Sequence, residues 1–191
     1  MQSDMAALQY LYGANYSHNS DNTTYTWNTL TGQMSINGVA NVNAYSANKI
    51  FMTIWDGNGT DTYDLSNYST DLTLDLRPGE ACIFSSTQLA NLGNGNFASG
   101  NVYNSLLYND NTASLIENAI GGSGNDTMSG GSGSDTFRYT SGDEIGSVDI
   151  ITDFAPDEDI LDLSALLGSG YDGTNAADYV KLVENGGNTT V

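Results

Sequence analysis

Residues 121–138 read GGSGNDTMS and then GGSGSDTFR, two nonapeptides with glycine and aspartate in identical places. Gly121, Gly122 and Gly124, like Gly130, Gly131 and Gly133, let six residues turn tightly and aim their carbonyls inward. Asp126 and Asp135 close those turns with carboxylates. Carbonyl and carboxylate oxygens gathered in this way suit a hard cation, calcium above all. A Gly/Ser/Asp linker has no reason to keep a nine-residue period or to bring Met128 and Phe137 into the same place within it. The period therefore predicts a parallel β-roll with two nonapeptides per coil. Each nonapeptide is a turn followed by a short strand, with only Met128 and Phe137 facing inward and calcium between the turns of neighbouring coils.

Other acids lie where they could join such sites. In WDGNGTD, Asp56 and Asp61 stand five apart around a glycine-rich turn. Both carboxylates and an intervening carbonyl can reach one ion at that spacing; the competing reading is an Asx turn between strands. Glu117 sits among Leu115, Ile116 and Ile120, an awkward place for a charge unless it is paired or turned to solvent. In VDIITDF, alternation places Asp149, Ile151 and Asp153 on one side and Ile150, Thr152 and Phe154 on the other. Asp157, Asp159 and Asp162 read as an exposed turn and strand, because a run of charge is usually a solvated face.

The elements that must position these groups are mostly strands. TTYTWN (23–28), KIFMTIW (49–55), DLTLDL (71–76) and ACIFSS (81–86) are rich in β-branched and aromatic residues. DLTLDL alternates strictly, with Leu72, Leu74 and Leu76 on one face. Residues 91–111 read as tight turns joining short strands, and 164–169 as a helical turn. One helix is expected over 4–12, capped by Ser3 or Asp4 and stopped at Gly13, with Met5, Leu8 and Leu11/Tyr12 on one face.

The whole chain agrees in its charge. Four Lys+Arg stand against 23 Asp+Glu in 191 residues, a formal −19. That excludes a phosphate-neutralising nucleic-acid binder and docking on an anionic membrane. No apolar run reaches membrane-spanning length, and no basic-then-apolar leader pattern is present. Cys82 is the only cysteine, so no internal disulfide can brace the fold. Composition alone fits either a chain that a hard cation neutralises or a halophile-like acidic surface.

The nonapeptides match the RTX repeats of bacterial proteins exported by type I secretion, and the resemblance extends in both directions. DMAALQYLYGANY (4–16) looks like the last helix of the serralysin protease domain and the start of its calcium-binding C-terminal domain. IWDGNGTDTYDLSNYS (54–69) resembles the first calcium turn of that domain, and LIENAIGGSGND (115–126) the run into its repeats. VDIITDFAPDEDILDLSAL (148–166) resembles the segment that closes the roll. The resemblance assigns Asp56, the Asn58 carbonyl and Asp61 to one calcium, with Asn19, Asp21 and Thr23 as the partner segment. It gives Glu117 a second ion, near Gly59, Asp61 and the Leu115 carbonyl. In the repeats the ligands are Gly122, Gly124, Asp126, Gly131, Gly133 and Asp135. Asp149 and Asp153 complete the last site, Asp153 being preferred. The chain departs from the family at Asn58, usually Gly, at Leu115, more often Thr, and in having only two clear nonapeptides.

The resemblance implies an all-β fold: a parallel β-roll with flanking β-sandwich strands and one short N-terminal helix. Its expected parts are a helix over 1–15 like the end of a protease domain, a calcium-binding β-rich region over 16–120, repeats and roll closure over 121–166, and a tail over 167–191 that reads as truncated. The implied role is a secreted, extracellular calcium module that folds on binding several ions and supports secretion and stability of a serralysin-like protease. Its partners would be an upstream catalytic domain and the type I secretion machinery. Zinc would belong only to that missing domain. The family's H-E-x-x-H-x-x-G-x-x-H cannot be built from the single histidine, His18, so no catalytic residue is assigned. An RTX adhesin or surface module not attached to a protease is the alternative.

Overall fold

The structure is a computed structural model describing residues 1–41, 47–140 and 147–167, and in the tail 171, 174, 180–181, 183–185 and 188–190. Asp143, Glu144 and most of the 167–191 tail lie outside the described residues. In chain order the elements are α1 (Gln2–Tyr12), β1 (Thr24–Trp27), β2 (Met34–Ile36), β3 (Val39–Ala40), β4 (Met52–Ile54), β5 (Thr62–Asp64), β6 (Thr73–Asp75) and β7 (Ala81–Cys82). They continue with β8 (Asn91–Gly93), β9 (Asn96–Phe97), β10 (Val102–Asn104), β11 (Asn118–Ile120), β12 (Thr127–Ser129), β13 (Thr136–Arg138), β14 (Ile150–Ile151), β15 (Ile160–Asp162), α2 (Ser164–Leu167), β16 (Val183–Asn185) and β17 (Asn188–Thr190).

The nine-residue period becomes geometry. β11, β12 and β13 start at Asn118, Thr127 and Thr136, nine residues apart, and lie alternately in two sheets. The larger sheet has the order β15-β13-β11-β5-β1-β2-β3, parallel from β15 through β1. The smaller sheet is β14-β12-β6, parallel throughout. Thr62, Asn118, Thr136 and Ile160 form one row across the first sheet, and Thr73, Thr127 and Ile150 one row across the second. The chain shuttles between two sheets, a β-roll, and is mostly strand with few helices.

Small turns leave the repeat strands β12 and β13 one apolar inward side chain each, Met128 and Phe137. Tyr63, Ala119 and Phe137 face Leu74 and Met128, all fully buried, with Ile151 and Leu161 packed against them. Leu72, Leu74 and Leu76 are buried together, as the alternation of 71–76 requires. Beside the roll, β4-β10-β7 forms a small sheet. Trp27 at the end of β1 meets Phe84 at 4.8 Å and Tyr63 at 5.4 Å between ring centroids. β8 and β9 make a hairpin through Asn94 and Gly95, both at positive φ, as a two-residue turn demands.

The helix departs from expectation in two ways. It starts at Gln2 with Met1 as its cap and no side-chain capping bond, so Ser3 and Asp4 fall inside the first turn. Asp4 instead pairs with the Met1 ammonium at 3.1 Å. Its apolar face is open: Leu8 is 58% and Tyr12 83% exposed. The helix is held by a polar anchor, the Gln2 amide donating to the carbonyls of Gly79 (2.8 Å) and Asn104 (2.7 Å). Gly13, at φ 83°, ends it where expected. Among the described residues, no helix is long and apolar enough to cross a membrane.

Candidate metal centre

Parallel strands in register stack whatever residue precedes them. On one edge of the roll that residue is Thr23, Asp61, Glu117, Asp135 and Asp159 in successive strands. On the other edge it is Leu72, Asp126 and Asp149. Two columns of carboxylates result, at a strand spacing of about 4.8 Å.

Most of these carboxylates reach back to an amide of the preceding coil; Asp135 instead gives its own N–H to Asp159. Asp61 accepts from the Thr23 N–H at 2.8 Å and Glu117 from the Asp61 N–H at 2.7 Å. Asp159 accepts from the Asp135 N–H at 3.1 Å. Across the roll, Asp126 accepts from the Leu72 N–H at 2.9 Å and Asp149 from the Asp126 N–H at 2.8 Å. Asp153 takes the N–H groups of Gly130 and Gly131, both at 3.0 Å, clamping the second repeat turn.

The amides do not satisfy every oxygen. Asp61 Oδ2 and Asp135 Oδ2 are buried without any hydrogen-bond partner. A buried carboxylate oxygen left unpaired costs too much to persist, so it either binds a proton or faces a cation. The structure shows the strain electrostatically. Burial, then Asp56 and Glu117, push the Asp61 carboxyl up to about 8. Burial, then Asp159, Asp153 and Glu117, push Asp135 up to about 6. Burial likewise raises Glu117, Asp126 and Asp149.

A pH dependence with a definite sign follows for the metal-free chain. Unfolded, these aspartates ionise near the ordinary 3.8; folded, they hold their protons longer. The native state thus binds more protons, and folding stability falls as pH rises, up to about 6 for Asp135 and about 8 for Asp61. In chelator, circular dichroism is expected to show more β structure at about pH 5 than at about pH 8. The opposite order would contradict the burial of these carboxyls.

The first acidic turn nests against residues 16–23. Gly57 donates to the His18 carbonyl at 2.8 Å. A side chain at Gly59 would lie 2.9 Å from the Asp21 carbonyl oxygen and 2.8 Å from Asp61 Oδ1, so these three groups converge. Asp56 is buried and accepts from the Tyr25 hydroxyl at 2.7 Å. Asn58 is exposed, its N–H reaching Asp56 Oδ1 at 3.4 Å. Asn19 donates its side-chain amide to the Tyr25 oxygen at 2.9 Å, which leaves its side-chain and backbone carbonyl oxygens as the groups it can offer a cation. Thr23 turns its hydroxyl to the Asp21 carbonyl at 2.9 Å. Leu115 is partly buried just ahead of Glu117, whose carboxylate accepts from the Asp61 N–H.

In the repeats, Gly122 N–H donates to Asp126 Oδ2 at 2.8 Å, closing the turn on itself. Gly122 and Gly124 lie against the carbonyls of Tyr68 and Thr70 in the neighbouring coil, where a side chain cannot fit. Gly131 and Gly133 adopt φ 101° and 127°. Asp159 corrects the sequence reading: it is 9% exposed, not on a solvated face. It stands immediately before β15, in the column of Asp135, and also caps the Ala155 N–H at 2.8 Å. The signal was present as a repeated Asp-Ile-aliphatic triplet, 149–151 and 159–161. Asp162 is half-buried on the outer face, paired with Arg138 at 2.7 Å.

Among the described residues, no group of three or more His, Cys, Asp or Glu side chains is arranged to hold a metal ion. A cation between the coils would therefore draw on backbone carbonyls beside one or two carboxylates. That donor set, all oxygen and part main chain, fits calcium and does not fit zinc.

Comparison with known proteins gives the same direction. The chain is 35% identical over 125 residues to "Metallopeptidase AprA" of Pseudomonas marginalis, covering 65% of this chain and 22% of that protein. It is 33% identical over 129 residues to "Serralysin B" of Dickeya chrysanthemi, covering 67% and 22% respectively. It is 32% identical over 130 residues to "Serralysin" of Proteus mirabilis, covering 65% and 21%. The matched region thus spans about a fifth of the length of these relatives. The family model described as Peptidase M10 serralysin C terminal matches residues 14–189, from the first acidic turns through the roll and into the tail, and the chain belongs to that family.

Proposed function

We propose that this chain is a calcium-binding RTX module, without chemistry of its own, that folds as it binds ions and supports the secretion and stability of an extracellular serralysin-like protease. The observation that carries this reading is the pair of buried, unpartnered oxygens, Asp61 Oδ2 and Asp135 Oδ2, in columns of stacked carboxylates. The proposed ligands are the residues assigned from the sequence, with Asp159 added beside Asp135 and Asp153. Bound between coils, a divalent ion supplies two positive charges and a bridge from one turn to the next.

The chain's own residues make binding and folding one event. Its strands are two to four residues long, too short to persist alone. Its 22 glycines oppose ordering, and its −19 charge opposes compaction. Binding free energy then appears as folding free energy. In a compartment poor in calcium the chain would remain extended for export by type I machinery, and outside the cell it would close into the roll. Residues 1–15 would join an upstream catalytic domain carrying the zinc, residues 16–120 would hold the first acidic turns, 121–166 the repeats, and 167–191 the tail.

Equilibrium dialysis against calcium, with the bound metal counted per chain, tests the reading. Several ions per chain are expected, and at least one fewer for Asp135→Ala. A chain that binds none in millimolar calcium would overturn it.

A further inference from the structure

Asp56 is buried in the first acidic turn with its two oxygens in unequal surroundings. Oδ2 takes a 2.7 Å hydrogen bond from the Tyr25 hydroxyl, while the Asn58 N–H approaches Oδ1 at a long 3.4 Å. The Tyr25 oxygen in turn accepts from the Asn19 side-chain amide at 2.9 Å. A phenol has one proton to give. With its oxygen occupied by Asn19, that proton is committed to Asp56. The ring cannot drift: Tyr25 is 1% exposed, stacked on Trp27 at 6.3 Å and edge-on to Tyr63 at 5.9 Å.

We infer that Tyr25 is the positioning residue of the first ion site: its hydroxyl fixes Asp56 by one oxygen and leaves Oδ1 free for the cation. The inference rests on the calcium reading of the 56–61 turn. The relay Asn19–Tyr25–Asp56 ties together two turns that are 31 or more residues apart in the chain, through a side chain rooted in the aromatic core. A ligand oriented before the ion arrives loses less freedom on binding, which raises affinity without adding a ligand. Tyr63 provides the contrast. It is equally buried, but its hydroxyl donates to Asn104 at 2.8 Å, away from the turn.

Calcium titration of the full chain by calorimetry, with near-ultraviolet circular dichroism followed in parallel, tests this. Tyr25→Phe keeps the ring and removes only the hydroxyl, so it is expected to weaken one class of site about tenfold, the effect of losing a hydrogen bond to a charged group. The tyrosine signal that changes with ion binding should fall with it. Asn19→Gly keeps the left-handed backbone (φ 50°) and removes the donor to the phenol, and is expected to weaken the same class about threefold. Tyr63→Phe should titrate like the parent chain. If Tyr25→Phe and Asn19→Gly both bind as the parent does while Asp56→Asn loses an ion, the role of Tyr25 is refuted and the site stands. If Asp56→Asn loses none, the ion site in this turn is refuted, and the role of Tyr25 with it.

Discussion

With calcium removed by a chelator at neutral pH, the chain is expected to swell from a radius of gyration of about 16 Å toward about 45 Å, and to lose most of its β signal. The size of the effect comes from the carboxylate columns. Asp61, Glu117, Asp135 and Asp159 stand before successive parallel strands, with the first and third each holding a buried, unpaired oxygen. Neighbouring unit charges about 4.8 Å apart repel by about 1 kcal/mol in water and about 3–4 kcal/mol at an effective dielectric near 20. The opposing apolar term is small, because the repeat strands contribute one apolar inward side chain each, Met128 and Phe137. A domain's net stability is only about 5–15 kcal/mol, so several uncompensated neighbours are enough to cancel it. Small-angle scattering and far-ultraviolet circular dichroism, with and without chelator, measure this. An unchanged radius in chelator would mean that the apolar interior holds the roll by itself.

Gly122→Ala is expected to cost about 4 kcal/mol or more, even in saturating calcium. A Cβ there would lie well inside contact distance of the Tyr68 carbonyl oxygen and 3.0 Å from the Tyr68 carbonyl carbon. That carbonyl cannot retreat. It accepts from the Ser123 N–H at 3.0 Å, while the Tyr68 N–H is bound to the Leu65 carbonyl at 2.9 Å. The two coils touch here through backbone, so a methyl group must separate them and with them the oxygens that would share an ion. Gly133 is the internal comparison. It adopts φ 127°, and nothing lies within 4 Å of where its Cβ would be. Ala at 133 suffers backbone strain alone, about 1–2 kcal/mol. Denaturant melts of the two variants in calcium should differ by at least about 2 kcal/mol. Equal stabilities would show that the turns at 66–70 and 121–124 are not stacked backbone on backbone.

The roll was legible because its signal is a period, and periods survive translation into structure. Two nonapeptides make one coil, so the repeat implied parallel strands eighteen residues apart, and Asn118, just ahead of the repeats, pairs with Thr136 in that way. The inward placement of Met128 and Phe137, and of Leu72, Leu74 and Leu76, followed from the same kind of count. The small sheet was less legible. Its strands are two or three residues long, and β4 pairs with β10 from fifty residues away, Met52 opposite Val102. A helix's apolar face reports what could be buried, not what is: Leu8 and Tyr12 stay mostly exposed.

The acids show the limit at a single site. Glu117, Asp149 and Asp153 drew notice because each interrupts an apolar or alternating run. Asp159 did not, because Asp157 and Glu158 beside it make a charged stretch that usually faces water. The strand that follows decided otherwise, pulling Asp159 into the column while Asp157 and Glu158 stay exposed. Tyr25 was read only as a strand aromatic. Its hydroxyl matters through a partner 31 residues away, which no local pattern reports.

Crystals grown in millimolar calcium and measured for anomalous scattering would locate the ions themselves. The account predicts peaks between the coils, about 2.3–2.6 Å from carboxylate oxygens of Asp126 and Asp135 and from carbonyls of the glycine turns. Turns in that same roll with no anomalous peak beside Asp126 or Asp135 would contradict it.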